Sequence, residues 1–393
     1  MKTDIKNTIV LGEPGSGKTS CIAINETIDA LKLGHSLFVN DNSKEEIYKS
    51  TYDLAKSQGY NIILLDYLNY KGDSFNCLDL VKDYYQENES VLCGELISLI
   101  SEALNKPVKG SEDPFWTISS TTYIKGIIYY LLETKSKKIS LEALSHLCVE
   151  SSVRIEFLGL GRSTPMASSL LNGVFTNSEK TTASILMTAF ATISSILTNS
   201  KIKRITRTTS FDIRKIPKEK TIIYLKYPEY SEQYDGLVSL FLTELIHVLY
   251  HSCDQTVQLD IPFHFIIDEF AHFRLPSFER YISTARSRNI QFTLLIQSMD
   301  QLEIGYSKSV AQTIMDCCQN IISFQRTNYN TLTYMSQLSG YRDTVGHLPR
   351  VSMNDLLKLR PFEAFCLINH QPSIKLFIPY FMVESKVYEK LDE

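Results

Sequence analysis

Residues Gly12-Glu13-Pro14-Gly15-Ser16-Gly17-Lys18-Thr19 have the spacing G-x-x-x-x-G-K-[ST]. Residues of these types in this order bind phosphate. Gly15 and Gly17 let the backbone approach a ligand closely. The N–H groups that follow, Ser20 included, point at phosphate oxygens from the start of a helix. Lys18 reaches the β- and γ-phosphates of a nucleoside triphosphate, and the Thr19 hydroxyl binds Mg²⁺. A second group lies some 250 positions later, where the apolar run Phe263–Ile267 ends in Asp268-Glu269. Asp268 is suited to the Mg²⁺ shell, and Glu269 to orienting and activating a water. Taken alone, the pair reads equally as the solvated end of a strand. A third apolar run, Asn289–Gln297, ends in an amide. Gln297 either sits beside the γ-phosphate and senses its loss or caps the next helix.

These side chains need elements to hold them. The β-branched stretch Asn7–Leu11 predicts a buried strand entering the glycine loop, and Ser20–Leu31 has helical spacing. Ser36–Asn40 and Asn61–Asp66 predict two more strands, separated by a charged helix over Lys44–Ser57. Alternation then stops. From about Glu87 to Asn199 the periodicity is helical, over Leu92–Leu104, Trp116–Leu132, Leu141–Cys148, Ala167–Phe175 and Thr182–Leu197. Strand character returns at Thr221–Lys226, followed by a helix over Gly236–Tyr250. The runs at 263 and 291 come next, then Asn320–Phe324, Glu363–Ile368 and Ile374–Ile378. The pattern is an α/β nucleotide-binding domain interrupted by an all-α insertion. The parts are expected at 1–86, 87–205 and 206–393. Ligands collect at the carboxyl ends of parallel strands, so the glycine loop and Asp268-Glu269 must be neighbours in the fold.

The 393 residues have an ordinary apolar fraction and a net charge of −4. The chain as a whole is therefore not a basic nucleic-acid binder. One local stretch is basic: Lys201, Lys203, Arg204, Arg207, Arg214, Lys215, Lys218 and Lys220 outweigh Asp212 and Glu219. It is either a footprint for a phosphate backbone or a solvated connector. The eight cysteines include no C-x-x-C pair, which argues against a zinc site and a disulfide framework and for a reducing compartment. Thr181–Ser200 carries no charge and has the length of a membrane span. Its apolar residues recur at helical spacing among Ser, Thr and Asn, so an amphipathic helix buried on one face is expected.

Longer stretches resemble the type IV secretion coupling proteins, the ATPases that feed DNA to conjugation machines. The resemblance rests on the Asn7–Gly12 lead into the loop, Gly59–Asp66 followed by Ser74–Leu78, and Asp113-Pro-Phe-Trp116. Most specific is the series Ile267–Phe273, Leu275–Glu279, Thr284–Ile290, Ile296–Ser298 and Gln301-Leu302. The resemblance implies a RecA-like P-loop NTPase domain with a mostly parallel sheet, ATP and Mg²⁺ as ligands, and a homo-hexameric ring. In such rings a neighbour supplies an arginine to the transition state. Arg286 is the first candidate and Arg288 the second, the alternative being a surface salt bridge. Implied partners are single- or double-stranded DNA bound without sequence preference, a relaxase or other secreted protein, and components of the secretion channel. The family commonly carries two membrane helices before the loop, where eleven residues stand here. The chain is accordingly expected to be a trimmed form or a soluble relative, monomeric when isolated. It is expected in the cytoplasm or at the cytoplasmic face of the membrane. The family's Asp-Pro-Lys-Gly-Glu reads Asp41-Asn-Ser-Lys-Glu45, so the geometry of that loop is open. Two other readings remain: an FtsK- or HerA-like DNA translocase outside conjugation, and a docking platform that uses ATP for assembly.

Overall fold

A computed structural model of the chain describes residues 5–105, 114–149, 164–325, 328–342, 348–360, 362–368 and 374–377. Asp113 and Ile378, which belong to two of the stretches read above, lie outside them.

Ten strands form one sheet. In chain order they are β1 (Thr8–Leu11), β2 (Ser36–Asp41), β3 (Asn61–Asp66), β4 (Lys71–Gly72), β5 (Thr221–Lys226), β6 (Phe263–Ile267), β7 (Ile290–Ile296), β8 (Asn320–Phe324), β9 (Glu363–Ile368) and β10 (Ile374–Phe377). Their order across the sheet is β10-β9-β8-β1-β7-β6-β2-β5-β3-β4. The seven strands from β8 to β3 run parallel. The antiparallel strands β9, β10 and β4 close the two edges. The middles of the parallel strands are mostly apolar because both faces of the sheet are covered.

Side-chain alternation assigns the faces. Val10, Leu37, Val39, Ile222, Ile266 and Leu295 pack with α1 (Ile24–Leu33) and α2 (Glu46–Ser57). Ile9, Leu11, Phe38, Ile63, Phe265 and Leu294 face the other way, into a larger core. The helix Gln233–Thr256 belongs to that second core, and Phe241 packs on Phe38 with ring centroids 5.9 Å apart. It is, among the described residues, the helix long and apolar enough to cross a membrane, and 89% of its apolar window is buried inside the protein.

The helices Ser90–Leu104, Pro114–Glu133, Leu141–Val149, Pro165–Phe175 and Glu179–Ile196 pack on one another and, through the first and last, on helix Gln233–Thr256. Gly126 allows one close approach. A Cβ there would meet Leu171 Cδ2 at 2.6 Å. The uncharged stretch at Thr181–Ser200 forms the helix Glu179–Ile196, capped by Ser178. It buries Thr182, Ile185, Ala189, Ile193 and Ile196, as the amphipathic reading expects. The short helix Asp79–Gln86 adds to the expected elements. Of the eight free cysteines, seven are buried and Cys317 is partly exposed.

The basic stretch is not a free stripe of charge. Lys203 and Arg207 both lie against Glu142, at 3.6 and 3.3 Å. Arg214 reaches Glu87 at 2.8 Å and Asp83 at 3.8 Å. Arg204 donates to the Tyr70 carbonyl, and Lys220 to the Gln58 carbonyl. Residues 201–205 of this stretch lie in the helix Ser200–Ile205. Arg204 thereby ties the helix Ser200–Ile205 to the connection between β3 and β4 at the edge of the sheet.

Candidate nucleotide site

Three neighbouring strands deliver the site at their carboxyl ends. Leu11 of β1 is level with Ile296 of β7, and Gly12 N–H donates to the Ile296 carbonyl at 3.2 Å. Ile267 of β6 is level with Leu294 of the same β7. The strand β7 thus stands between the glycine loop and Asp268-Glu269, so Gln297 emerges between them. Beyond the loop, a wide π-type turn over Thr19–Ala23 leads into α1. Such turns recur at functional sites.

Lys18 is buried. Its Nζ donates to the carbonyls of Gly12 at 2.5 Å and Glu13 at 3.3 Å. The Thr19 hydroxyl donates to Asp268 Oδ2 at 2.8 Å. Gln297 Nε2 donates to Glu269 Oε2 at 3.1 Å. The cap of the following helix is Ser298, whose side chain accepts from Gln301 N–H, so the capping alternative for Gln297 is set aside. Glu269 has a left-handed backbone, φ 51°, and its N–H donates to Asp268 Oδ1. Burial, reinforced by the charge of Asp268, pushes the Glu269 carboxyl above the usual range. Lys18, the Gln297 bond and His272 pull against that shift.

Supporting residues were given no role by the sequence reading. Asn40, at the end of β2, grips the Asp268 peptide on both sides. Its Nδ2 donates to the Asp268 carbonyl, its Oδ1 accepts from the Asp268 N–H, and both distances are 2.8 Å. The pair Asn40-Asp41 at a strand's carboxyl end repeats the pattern of Asp268-Glu269, and that was the available signal. Gln301 accepts from Gln297 N–H and lies 2.9 Å from His272 Nε2, extending the network behind Glu269. Asp41 accepts from the N–H groups of Asn42 and Tyr48 at the start of α2. Burial pushes its carboxyl up to about 7. Glu45, the other match to the family loop, pairs with buried Lys226 at 2.6 Å.

These groups surround a cavity of about 530 Å³. Pro14, Gly15, Gly17, Lys18, Thr19 and Ser20 form one side, and Asp268, Glu269 and Gln297 another. Asn40, Tyr227 and Phe362 also line it. Gly12, Glu13 and Ser16 complete the loop without lining the cavity. Arg286 and Arg288 lie elsewhere. They form a short turn before β7, at the amino end of the strand whose other end carries Gln297. A strand of this length spans roughly 20 Å. Arg288 lies over the Tyr250 ring at 5.1 Å, and Arg286 is exposed.

The family profile described as Type IV secretory system Conjugative DNA transfer matches residues 2–347. The chain belongs to that family. Among solved structures it is similar to the bacterial conjugative coupling protein TrwBΔN70 in its unbound form, at 15% identity and TM-score 0.72. That match covers 95% of this chain and 85% of the other. The plasmid coupling protein TrwB in complex with ADP and Mg²⁺ matches with the same identity, coverage and TM-score. VirB4 of Thermoanaerobacter pseudethanolicus matches at 12% identity and TM-score 0.52, over 96% and 90% of the two chains. At these identities the likeness is one of fold: the mixed α/β fold of P-loop NTPases. Among curated protein sequences there is no significant match.

Proposed function

We propose that this chain is the ATP-driven motor of a conjugative DNA-transfer system, recruiting DNA or a protein–DNA complex to a type IV secretion channel. The observation that carries the reading is the convergence of Lys18, Thr19, Asp268, Glu269 and Gln297 on one cavity, in a chain of the conjugative DNA-transfer family. TrwB, of similar fold, has been solved with ADP and Mg²⁺ and with a non-hydrolysable ATP analogue.

In this reading the loop from Gly12 to Ser20 cradles the phosphates, and Lys18 exchanges its carbonyl partners for the β- and γ-phosphate oxygens. A buried ammonium hydrogen-bonded to neutral carbonyl oxygens in this way is ready for an anion. Thr19 and Asp268 offer adjacent hard oxygen donors, which suits Mg²⁺, an ion that takes few protein ligands and keeps phosphate and water oxygens. Among the described residues no group of three or more His, Cys, Asp or Glu is placed to hold a metal by itself. When bound, Mg²⁺ neutralises charge on the phosphates. Glu269 accepts the proton of the attacking water. Gln297 holds the Glu269 carboxylate and registers loss of the γ-phosphate.

Arg286 is assigned to a neighbouring subunit's site, with Arg288 second. Their place at the amino end of β7 keeps them from the cavity of their own chain, which supports an action in trans within a hexamer. Residues 1–86 and 206–393 are assigned to the nucleotide-binding domain and 87–205 to the inserted helical domain. The motor acts at the cytoplasmic face of the membrane, with a relaxase or other secreted protein and channel components as partners. The test is ATPase activity against protein concentration, with and without DNA. Specific activity should rise with concentration and with DNA. Partner binding that depends on nucleotide, with hydrolysis indifferent to DNA, would replace the motor by a docking platform.

A further inference from the structure

Two aromatic side chains line the cavity, and they differ. Tyr227 is fully buried and hydrogen-bonded to Asn40, near Asp268. Phe362 is partly exposed and comes from the far end of the chain. Its ring lies against the phosphate loop. A Cβ built on Gly17 would stand 3.2 Å from Phe362 Cδ1 and 3.4 Å from Cε1, and 3.2 Å from Cys21 Sγ. Gly17 is thus required twice, by its φ of 97° and by this ring.

The backbone that presents the ring is unusual. Glu363 N–H donates to the Arg360 carbonyl at 3.0 Å. Glu363 Oε2 accepts from Arg360 N–H at 2.8 Å, a second bond between the same two residues. Phe362, held beside this pair, has φ 68°. Positive φ is ordinarily taken by glycine, asparagine or aspartate. A bulky residue in this region is a genuine outlier, and such residues gather at ligand clamps where the surroundings hold them. Phe362 leads directly into β9, which pairs with β8, the neighbour of β1. The ring is therefore carried by the same sheet that carries the loop.

We propose that Phe362 is the base platform of this site: the purine of a bound nucleoside triphosphate stacks on its ring while the loop holds the phosphates. The proposal rests on the nucleotide reading above. A phenyl ring reads the π-face of a base and not its hydrogen-bonding edge, and every base has a π-face. Phe362 therefore holds adenine and guanine alike.

The test compares ATP, GTP and inorganic tripolyphosphate, each with Mg²⁺, by calorimetric titration of the full chain and its Phe362 variants. Tripolyphosphate fills the phosphate cradle and has no base. Phe362→Ala should weaken ATP and GTP by about ten-fold or more, the value of one base–aromatic stack, and leave tripolyphosphate unchanged. Phe362→Tyr should keep the parent's preference for ATP over tripolyphosphate. Phe362→Leu, which keeps bulk against Gly17 without a π-face, should lose it. If the ring only props the loop, Phe362→Ala weakens all three ligands alike and Phe362→Leu restores them, and the platform is overturned. It is overturned equally if Phe362→Ala changes nothing. Should the Ala variant fail to fold, the ratio of ATP to tripolyphosphate affinity in the Tyr and Leu variants decides in the same way. A parent chain that binds neither ATP nor tripolyphosphate would remove the nucleotide reading itself. A parent that binds both, with base affinity indifferent to residue 362, removes the platform alone.

Discussion

Lys18 and the cations of the 201–220 stretch are alike in chemistry and opposite in circumstance. Lys18 is buried and rests on two backbone carbonyls. Lys203, Arg207 and Arg214 are partly or largely exposed and already rest on Glu142, Asp83 and Glu87. A cation kept from water whose hydrogen-bond acceptors are neutral has a desolvation cost that an incoming anion relieves. A cation already paired at the surface gains little from exchanging one anion for another, because such pairs are worth roughly 0–1 kcal/mol. Position in the fold, and not residue type, separates a site from a stitch.

The sharpest way to break this contrast is at the cavity. Lys18→Ala should abolish hydrolysis and weaken nucleotide binding. Glu269→Gln should retain binding and lower turnover by about 10²–10⁴-fold, the usual contribution of a general base. A Glu269→Gln variant that turns over ATP at the parent rate would remove Glu269 from its assigned role. The pH profile sharpens the point. The Glu269 carboxyl is raised by burial and by Asp268, so turnover should fall on acidification at a pH above that of an ordinary glutamate. Gln297 donates to the ionised form. Gln297→Ala removes that support, and the acid limb should move to still higher pH. A limb that stays in place, or moves down, would show that another group sets it.

A smaller effect is expected one step back, at Asn40. Its side chain satisfies both the N–H and the carbonyl of Asp268. Asn40→Ala leaves two buried backbone groups to find new partners, at a cost of about 1–3 kcal/mol in stability, and loosens the carboxylate that faces Thr19. Urea unfolding and ATP turnover, measured on the same variant, should both fall. Unchanged stability with unchanged turnover would show that the clamp is incidental.

What the sequence disclosed and concealed follows the same division. Lys18 and Thr19 were legible from the spacing of the glycine loop, and Asp268, Glu269 and Gln297 because they follow apolar runs whose direction in a parallel sheet is known. The register of β1, β7 and β6 then brings them together as expected. Asn40 was passed over because its signal, the polar pair Asn40-Asp41 at a strand end, does not say which neighbouring peptide the amide reaches; that is set by the pairing of β2 with β6. Phe362 was concealed because it meets the loop through β9, near the other end of the chain, and nothing around it in sequence marks a phosphate site. The helix Asp79–Gln86 was missed because its 8 residues make only about two turns, too short a run to stand out although Leu80, Val81 and Tyr84 share one face. The short helices after β7, such as Met299–Gly305 and Lys308–Asp316, were missed for the same reason. The basic stretch left two readings open for a plainer reason: its counter-charges, Glu142, Asp83 and Glu87, lie 60 or more positions away in sequence.

The smallest effect is expected in that stretch. If Lys203, Arg204 and Arg207 gripped a phosphate backbone, replacing all three with Ala would reduce the slope of log affinity against log salt by about one unit for each phosphate no longer neutralised. It would also weaken binding to unrelated duplexes alike. Their observed partners argue for a different outcome. Lys203 and Arg207 share Glu142, and Arg204 holds the Tyr70 carbonyl. Their removal frees a carboxylate and exposes no new basic surface. The triple variant should therefore keep its affinity for DNA and its salt slope to within about one unit. Stability should fall by no more than about 1–2 kcal/mol, since these are surface pairs. A slope flattened by two or three units, with the fold intact by circular dichroism, would reverse the contrast between the two groups of cations. The stretch would then be a working DNA surface whose ion pairs open when a phosphate backbone arrives.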